Sequence, residues 1–403
     1  PQPMGAISGS GSCDGRVVHS LLNIVLFASA LVLFLGKTPE VEGFCVNPAT
    51  LPKVSTSRGR VNRLLRTSPP HGFQRVDMSS EPLSPEPLVL SKETLNGFRV
   101  LALNRPKAMN AADKEMTSSM LSFLQNFESD ASSKAFMITS SSARALCSGG
   151  DVKTIAAAVK ADPCSQYPAK ALANEYRLIH RIASSRIPSV AIMDGVTMGF
   201  GIGISGFAKY RVVTERTIVA MPENAIALIP DIAFSYLMRS KPSLATFLAL
   251  TGARLGGKFS PTSDLLFAGI GTHYVPSDKL PALQKALESL SFGEDSEGAL
   301  DTLLASFATE PDEPSALSKL MPVLERCCGK EQATPEAVRA AMAQEAKGGG
   351  DAAKALGEAI KGFDAGCPFT LATTLHHQRN VFDGGDRVHG IALDTLDGVL
   401  RME

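Results

Sequence analysis

Two carboxylic acids, Glu223 and Asp231, lie one short segment apart, downstream of the glycine cluster Gly199-Phe200-Gly201-Ile202-Gly203. All fall within Ser189–Tyr236, where one β-rich run leads into the cluster and a second ends at Met221-Pro222-Glu223. A carboxylate can activate water as a general base or attack a carbonyl directly. A glycine turn opening a helix offers backbone N–H groups to the negative charge that develops on the attacked oxygen. Acids and glycine turns in this order suit acyl chemistry. Each acid also has a purely structural reading, Glu223 as a first-turn acid behind Pro222 and Asp231 as a helix cap. Ser148 lies in no G-x-S-x-G elbow and is not expected to be a nucleophile. Gly199-Phe200-Gly201 matches only the start of the G-x-G-x-x-G nucleotide fingerprint. Ile204 stands at the third glycine's place, and Val196-Thr197-Met198 separate the preceding strand from the cluster, so no dinucleotide site is expected.

The elements that must position these residues alternate strand and helix. Leu88–Leu90 and Phe98–Leu103 predict a hairpin around Asn96-Gly97, a strong turn dipeptide. Pro106 stops the second strand. Apolar residues at helical spacing follow over 112–127 (Met116, Met120, Leu121, Leu124, Phe127). Ala135–Thr139 predicts a buried strand, Leu146–Asp151 a glycine turn opening a helix, and Ala171–Ala183 a helix carrying Glu175. Helices are expected over 244–250, 263–268 and 280–290, a short strand over 273–275, and helix onward to the end, with a joint at Gly348-Gly349-Gly350. The pattern predicts an α/β fold with a mixed, largely parallel sheet.

Composition removes several function classes. The 403 residues suffice for one or two domains. Formal net charge is zero, there is no tryptophan, and no basic domain is present, so no nucleic-acid partner is expected. The cysteines (Cys13, Cys45, Cys147, Cys164, Cys327, Cys328, Cys367) are odd in number and irregularly spaced, which argues against a disulfide framework. None forms C-x-x-C, and the adjacent pairs Cys327-Cys328 and His376-His377 are poor metal ligands, so no metal site is expected.

Three segments together resemble the crotonase (enoyl-CoA hydratase/isomerase) superfamily: Leu103–Ala111 (LNRPKAMNA), Leu146–Asp151 (LCSGGD) and Gly195–Gly201 (GVTMGFG). Ala220–Ile226 (AMPENAI) with Pro230-Asp231, and Leu248–Leu255 (LALTGARL) ahead of Ala268–His273 (AGIGTH), are similar to its 3-hydroxyisobutyryl-CoA hydrolase branch. The similarity spans about residues 87–403. It implies a crotonase-like ββα spiral core over 87–290 and a helical C-terminal region over 291–403, shorter than the family's.

The resemblance also assigns roles. The backbone N–H groups of Ser148 and Phe200 form the oxyanion hole, and Gly149, Gly199 and Gly201 belong to the substrate-binding turns. Glu223 acts on the thioester, and Asp231 holds the substrate hydroxyl or assists water. Glu175 contacts the acyl group, while Lys107, Ala108 and Lys153 meet CoA. Each lysine reads equally as an ordinary exposed residue. Hydratases carry a glutamate at position 203; Gly203 with Asp231 points to hydrolysis instead. The implied reaction is hydrolysis of a short hydroxyacyl-CoA, 3-hydroxyisobutyryl-CoA in valine breakdown. CoA is part of the substrate, no metal or redox cofactor is needed, and a homo-oligomer is compatible. The alternatives are an enoyl-CoA hydratase or isomerase, and a non-catalytic subunit of an organellar complex such as a mitochondrial ribosome.

Two departures from the family stand out. Phe200 interrupts three consecutive glycines, which predicts a bulky side chain beside the thioester and strain at any positive φ there. Ile232-Ala233-Phe234-Ser235 replaces a glycine run after Asp231, predicting a narrower acyl pocket or a shifted Asp231. Residues 1–86 read as a targeting leader. Leu21–Leu35 is an apolar run too short for a confident span, and 44–75 is basic, hydroxylated and free of acids. Import into an organelle is expected, mitochondrial by family default, or plastid through a two-part signal and transit leader, with no stable membrane insertion of the mature protein.

Overall fold

Asn96-Gly97 closes the expected hairpin between β1 (Val89–Glu93) and β2 (Phe98–Leu103), the only antiparallel pair among the described strands. The structure is a computed structural model that describes residues 86–383, so the expected leader and the chain's last residues lie outside the described part. Three strand pairs follow: β3 (Ala135–Ser140) with β4 (Ala145–Cys147), β5 (Ser189–Met193) with β6 (Val196–Met198), and β7 (Tyr210–Val213) with β8 (Ile218–Ala220). The first strand of each pair joins a six-stranded sheet of order β1-β2-β3-β5-β7-β9, closed by β9 (His273–Tyr274). The second joins a small parallel sheet, β4-β6-β8.

Helices connect the repeats. α1 (Lys114–Ser129) precedes β3, α2 (Val152–Ala161) and α3 (Tyr167–Ser184) follow β4, and α4 (Phe200–Gly206) follows β6. Beyond β8 come α5 (Phe234–Leu237), α6 (Pro242–Thr251) and α7 (Ser263–Phe267). This is the ββα spiral that the resemblance implies.

The large sheet is buried on both faces, which is why its strands read as unbroken apolar runs. Leu101, Phe136, Ile138, Ala191 and Val213 face the main core with α1, α3 and α4. Phe98, Val100, Met137, Val190 and Val212 face a second core, closed by α8 (Leu280–Glu288) and α9 (Ser296–Phe307). The last helices, α10 (Ala316–Cys328), α11 (Pro335–Glu345), α12 (Gly350–Asp364) and α13 (Pro368–Asp383), send Leu324, Met342, Phe363 and Leu375 into the main core. Among the described residues no helix is long and apolar enough to cross a membrane.

The small sheet matters most for chemistry. Thr197 pairs with Cys147 and Val219, and Met198 with Ala220. The C-terminal ends of the three strands therefore lie side by side. Their next residues are Ser148-Gly149-Gly150, Gly199-Phe200 and Met221-Pro222-Glu223. Open parallel sheets gather ligand sites at this end of their strands. β6 also corrects one expectation: a strand does lead directly into the glycine cluster. Exclusion of the nucleotide fingerprint then rests on Ile204, which is fully buried in the core.

Candidate active site

Gly199 takes φ 49 and ψ −124, a conformation that suits glycine, and caps the start of α4. The turn packs against its neighbours closely. A Cβ added to Gly199 stands 2.9 Å from Glu223 Oε1 and 3.6 Å from Gly149 Cα. One added to Gly150 stands 2.9 Å from Glu175 Oε1, and one on Gly201 only 2.4 Å from the Cys147 carbonyl oxygen. Missing side chains thus let β4, α4 and the two glutamates converge.

Phe200 resolves differently from its sequence expectation. The positive φ falls on Gly199, and Phe200 is not among the positive-φ residues. Its side chain is 2 % exposed and joins the main core instead of standing beside a substrate. Its N–H opens α4, where no intrahelical acceptor exists, and takes no acceptor among the described residues. The proposed Phe200 donor is therefore open.

The Ser148 donor requires a correction. Its N–H donates to the Met109 carbonyl at 3.0 Å, so it is not free to hold an oxyanion in this conformation. The cause is the preceding loop. Met109 and Asn110 both have positive φ, 49° and 54°, which turns the Met109 carbonyl onto the Ser148 strand end. Asn110 tolerates that geometry and is fully buried. Its side chain accepts from Arg105 N–H at 2.7 Å and donates to Ser140 Oγ and the Leu146 carbonyl. Lys107 and Ala108 occupy the 3-10 turn just before it (Pro106–Ala108), with Lys107 exposed. Lys153 is exposed in the first turn of α2.

The acids form one electrostatic group. Glu175, on α3, is 5 % exposed, and burial first, then the Asp231 charge, raises its pKa well above the usual carboxylate range. Glu223 begins a 3-10 turn (Glu223–Ile226); burial and then Asp231 push it up to about 8. Its Oε2 is buried without a hydrogen-bond partner among the described residues. Burial also raises Asp231, but the Tyr176 hydroxyl donates to Asp231 Oδ2 at 2.5 Å and opposes that rise. Of the three acids, Asp231 has the donor suited to a negative charge, while burial, with the Asp231 charge adding to it, favours protons on both glutamates. Tyr176 was not read from the sequence as a site residue. The helical pattern that carries Glu175 places Tyr176 next to it, but nothing there signals a partner so distant in sequence.

After Asp231, Ile232 and Ala233 have φ 50 and 57. This explains the family's glycine run: the backbone bends left-handed here whichever residues occupy it. A β-branched residue at such φ is strained, and non-glycine left-handed backbone costs roughly 1–2 kcal/mol per residue. Ile232 compensates by burying its side chain. Ala233→Gly is expected to raise unfolding stability by about 0.5–1 kcal/mol, read as a higher urea midpoint, the gain being trimmed by glycine's entropy when unfolded.

The position equivalent to the hydratase glutamate is filled by neighbours. A Cβ on Gly203 would stand 2.7 Å from Ile179 Cδ1 and 3.2 Å from Ile232 Cβ. A carboxylate there requires the Ile179 side chain to move aside and Ile232 to give slightly.

The enoyl-CoA hydratase/isomerase family model matches residues 98–402. The mitochondrial 3-hydroxyisobutyryl-CoA hydrolase of Rattus norvegicus is 34% identical over 307 residues, 75% of this chain and 73% of that protein. The Homo sapiens counterpart is 32% identical over 336 residues, 82% and 80% of the two chains. The Gallus gallus counterpart is 40% identical over 195 residues, a match spanning about half of either chain (48% and 49%). Among solved structures, a carnitinyl-CoA dehydratase from Mycobacterium thermoresistibile superposes with TM-score 0.65 at 33% identity, covering 78% of this chain and 83% of that one. An enoyl-CoA hydratase from Rhodobacter sphaeroides 2.4.1 gives 0.60 at 28%, covering 73% and 79%.

Proposed function

Because the chain belongs to the enoyl-CoA hydratase/isomerase family, we propose that it hydrolyses a short hydroxyacyl-CoA thioester, 3-hydroxyisobutyryl-CoA, to the hydroxy acid and free CoA. The observation that carries this reading is the placement of acids. Glu223 packs against the Gly199 turn that opens α4, Asp231 stands close enough to raise its pKa, and position 203 is walled by Ile179 and Ile232. A site for adding water across a double bond needs an acid where those isoleucines sit. A site for thioester hydrolysis needs a carboxylate beside the carbonyl and an N–H donor for its oxygen, and Glu223 and Phe200 supply those groups.

The thioester carbonyl lies at the N-terminus of α4 with its oxygen toward the Phe200 N–H, where the helix dipole also favours negative charge. Glu223, once ionised, either takes a proton from water or attacks the carbonyl itself. In both routes the ionised form acts. Asp231, anchored by Tyr176, serves the hydroxyl end of the acyl group, and Glu175, held protonated by burial, acts there as a donor. The second oxyanion donor forms only if Ser148 releases Met109. These steps call on protein groups, water and the CoA ester alone. The relatives' mitochondrial names support the mitochondrion as the site of action.

The test is CoA release by purified protein from 3-hydroxyisobutyryl-CoA, followed with a thiol reagent, beside hydration of crotonyl-CoA, followed by loss of its double bond. Thiol release from the first without turnover of the second is expected. Hydration without thiol release would overturn the reading.

A further inference from the structure

Helix α13 is tied to the backbone just beyond each of the two site acids. Asn224, next to Glu223, accepts at its carbonyl from Cys367 N–H at 2.9 Å, immediately before α13. Its side-chain oxygen accepts from Thr374 Oγ1 at 3.3 Å, and its side-chain nitrogen donates to the Ala249 carbonyl on α6 at 2.7 Å. Beyond Asp231, Ser235 Oγ accepts from Gln378 Nε2 at 2.8 Å. Asn224, Ser235, Thr374 and Gln378 are all buried.

We infer that α13 is a two-point clamp that sets the separation of Glu223 and Asp231, with Thr374 and Gln378 as its positioning residues. Thr374 and Gln378 are one helical turn apart on the same face, a rigid spacing of about 6 Å along the axis. The segment they hold starts right after Glu223 and contains most of a 3-10 turn, Asp231 and the strained Ile232-Ala233 pair. Such a segment has little regular structure of its own to keep its ends apart. Packing alone does not explain the residue types. Gln378 is fully buried with its Oε1 unpartnered among the described residues, a cost that a leucine at the same place avoids. The amide is accounted for by what its other end holds.

The catalytic consequence rests on the thioester-hydrolase reading; the mechanical one does not. Thr374→Val, Gln378→Leu and their combination, made in the full chain, are compared with Thr374→Ser. Amide hydrogen exchange across 223–235 is expected to speed up by about tenfold or more in the double variant, with exchange in the large sheet unchanged. On the hydroxyacyl-CoA, kcat is expected to fall about 10–100-fold with KM within a few-fold, because misplacement of a reacting group by an ångström costs on that order. Thr374→Ser restores both. A purely structural role would lower thermal stability and speed exchange in the large sheet along with 223–235, leaving kcat as in the wild type. That pattern in the folded single variants overturns the clamp, should the double variant not fold. If the wild type itself releases no CoA, the functional reading fails, while the exchange comparison still decides the clamp.

Discussion

Glu223→Gln is expected to lower kcat for CoA release by about 10²–10⁴-fold with KM little changed, the usual weight of a positioned acid–base group. The amide keeps the shape and burial of the side chain but cannot ionise. Retention of activity within threefold would remove Glu223 from the mechanism. The same substitution has two pH signatures. Glu223 titrates near 8 in the folded protein, so wild-type kcat/KM should climb with pH up to about that value, and the limb should vanish in the variant. Stability moves the opposite way. Above its ordinary pKa of 4.5 the unfolded chain releases this proton, while the folded one holds it until about 8. Folding therefore loses stability as pH rises across that window. Glu223→Gln should be more stable than wild type at pH 9, by an amount on the order of a few kcal/mol, and not at pH 4. Thermal melts at the two pH values check this.

Gly199→Ala should be the most damaging single methyl in the site. It meets two penalties at once. A positive φ of 49 with ψ −124 is strained for any side chain, and the new Cβ lies 2.9 Å from Glu223 Oε1. The strain costs roughly 1–3 kcal/mol of stability. The clash either moves Glu223 or rotates the α4 N-terminus and its Phe200 N–H, and loss of one oxyanion donor alone is worth roughly 2.7–4 kcal/mol of barrier. A drop of about 10²-fold or more in kcat is the expected outcome. Activity near wild type would mean that the Gly199 turn is not where the carbonyl binds.

The large elements were legible because each announced itself locally. Asn96-Gly97 marked its hairpin, the apolar spacing of Met116, Met120 and Leu124 marked α1, and the apolar run Ala135–Thr139 marked a buried strand. The expected starts and ends of α1 and α3 moved by only a few residues. The small sheet was not legible, since strands such as Val196–Met198 hold only three residues and exist by pairing with partners distant in sequence. The acids Glu223, Asp231 and Glu175 were found through motif and order, and the fold brings them together. Ser148 failed at the level of one hydrogen bond: whether its N–H is open depends on two left-handed residues, Met109 and Asn110, that no turn signal flags. Phe200 misled in the other direction. A side chain's identity is printed in the sequence, but the direction it leaves the backbone is not, and here it leaves into the core. Ile232 and Ala233 carry no glycine to announce their positive φ. Thr374 and Gln378 read as ordinary residues of a late helix.

The isoleucines around Gly203 have a consequence for how such a site changes over generations. A lone Gly203→Glu meets Ile179 and Ile232, which must both shift to admit it; a lone trimming of either isoleucine leaves a hole with no acid to use it. The reaction type is thus guarded by steric interlock as well as by the presence of Asp231. Acquiring an acid at position 203 therefore asks for adjustment of its two isoleucine neighbours as well as the substitution itself.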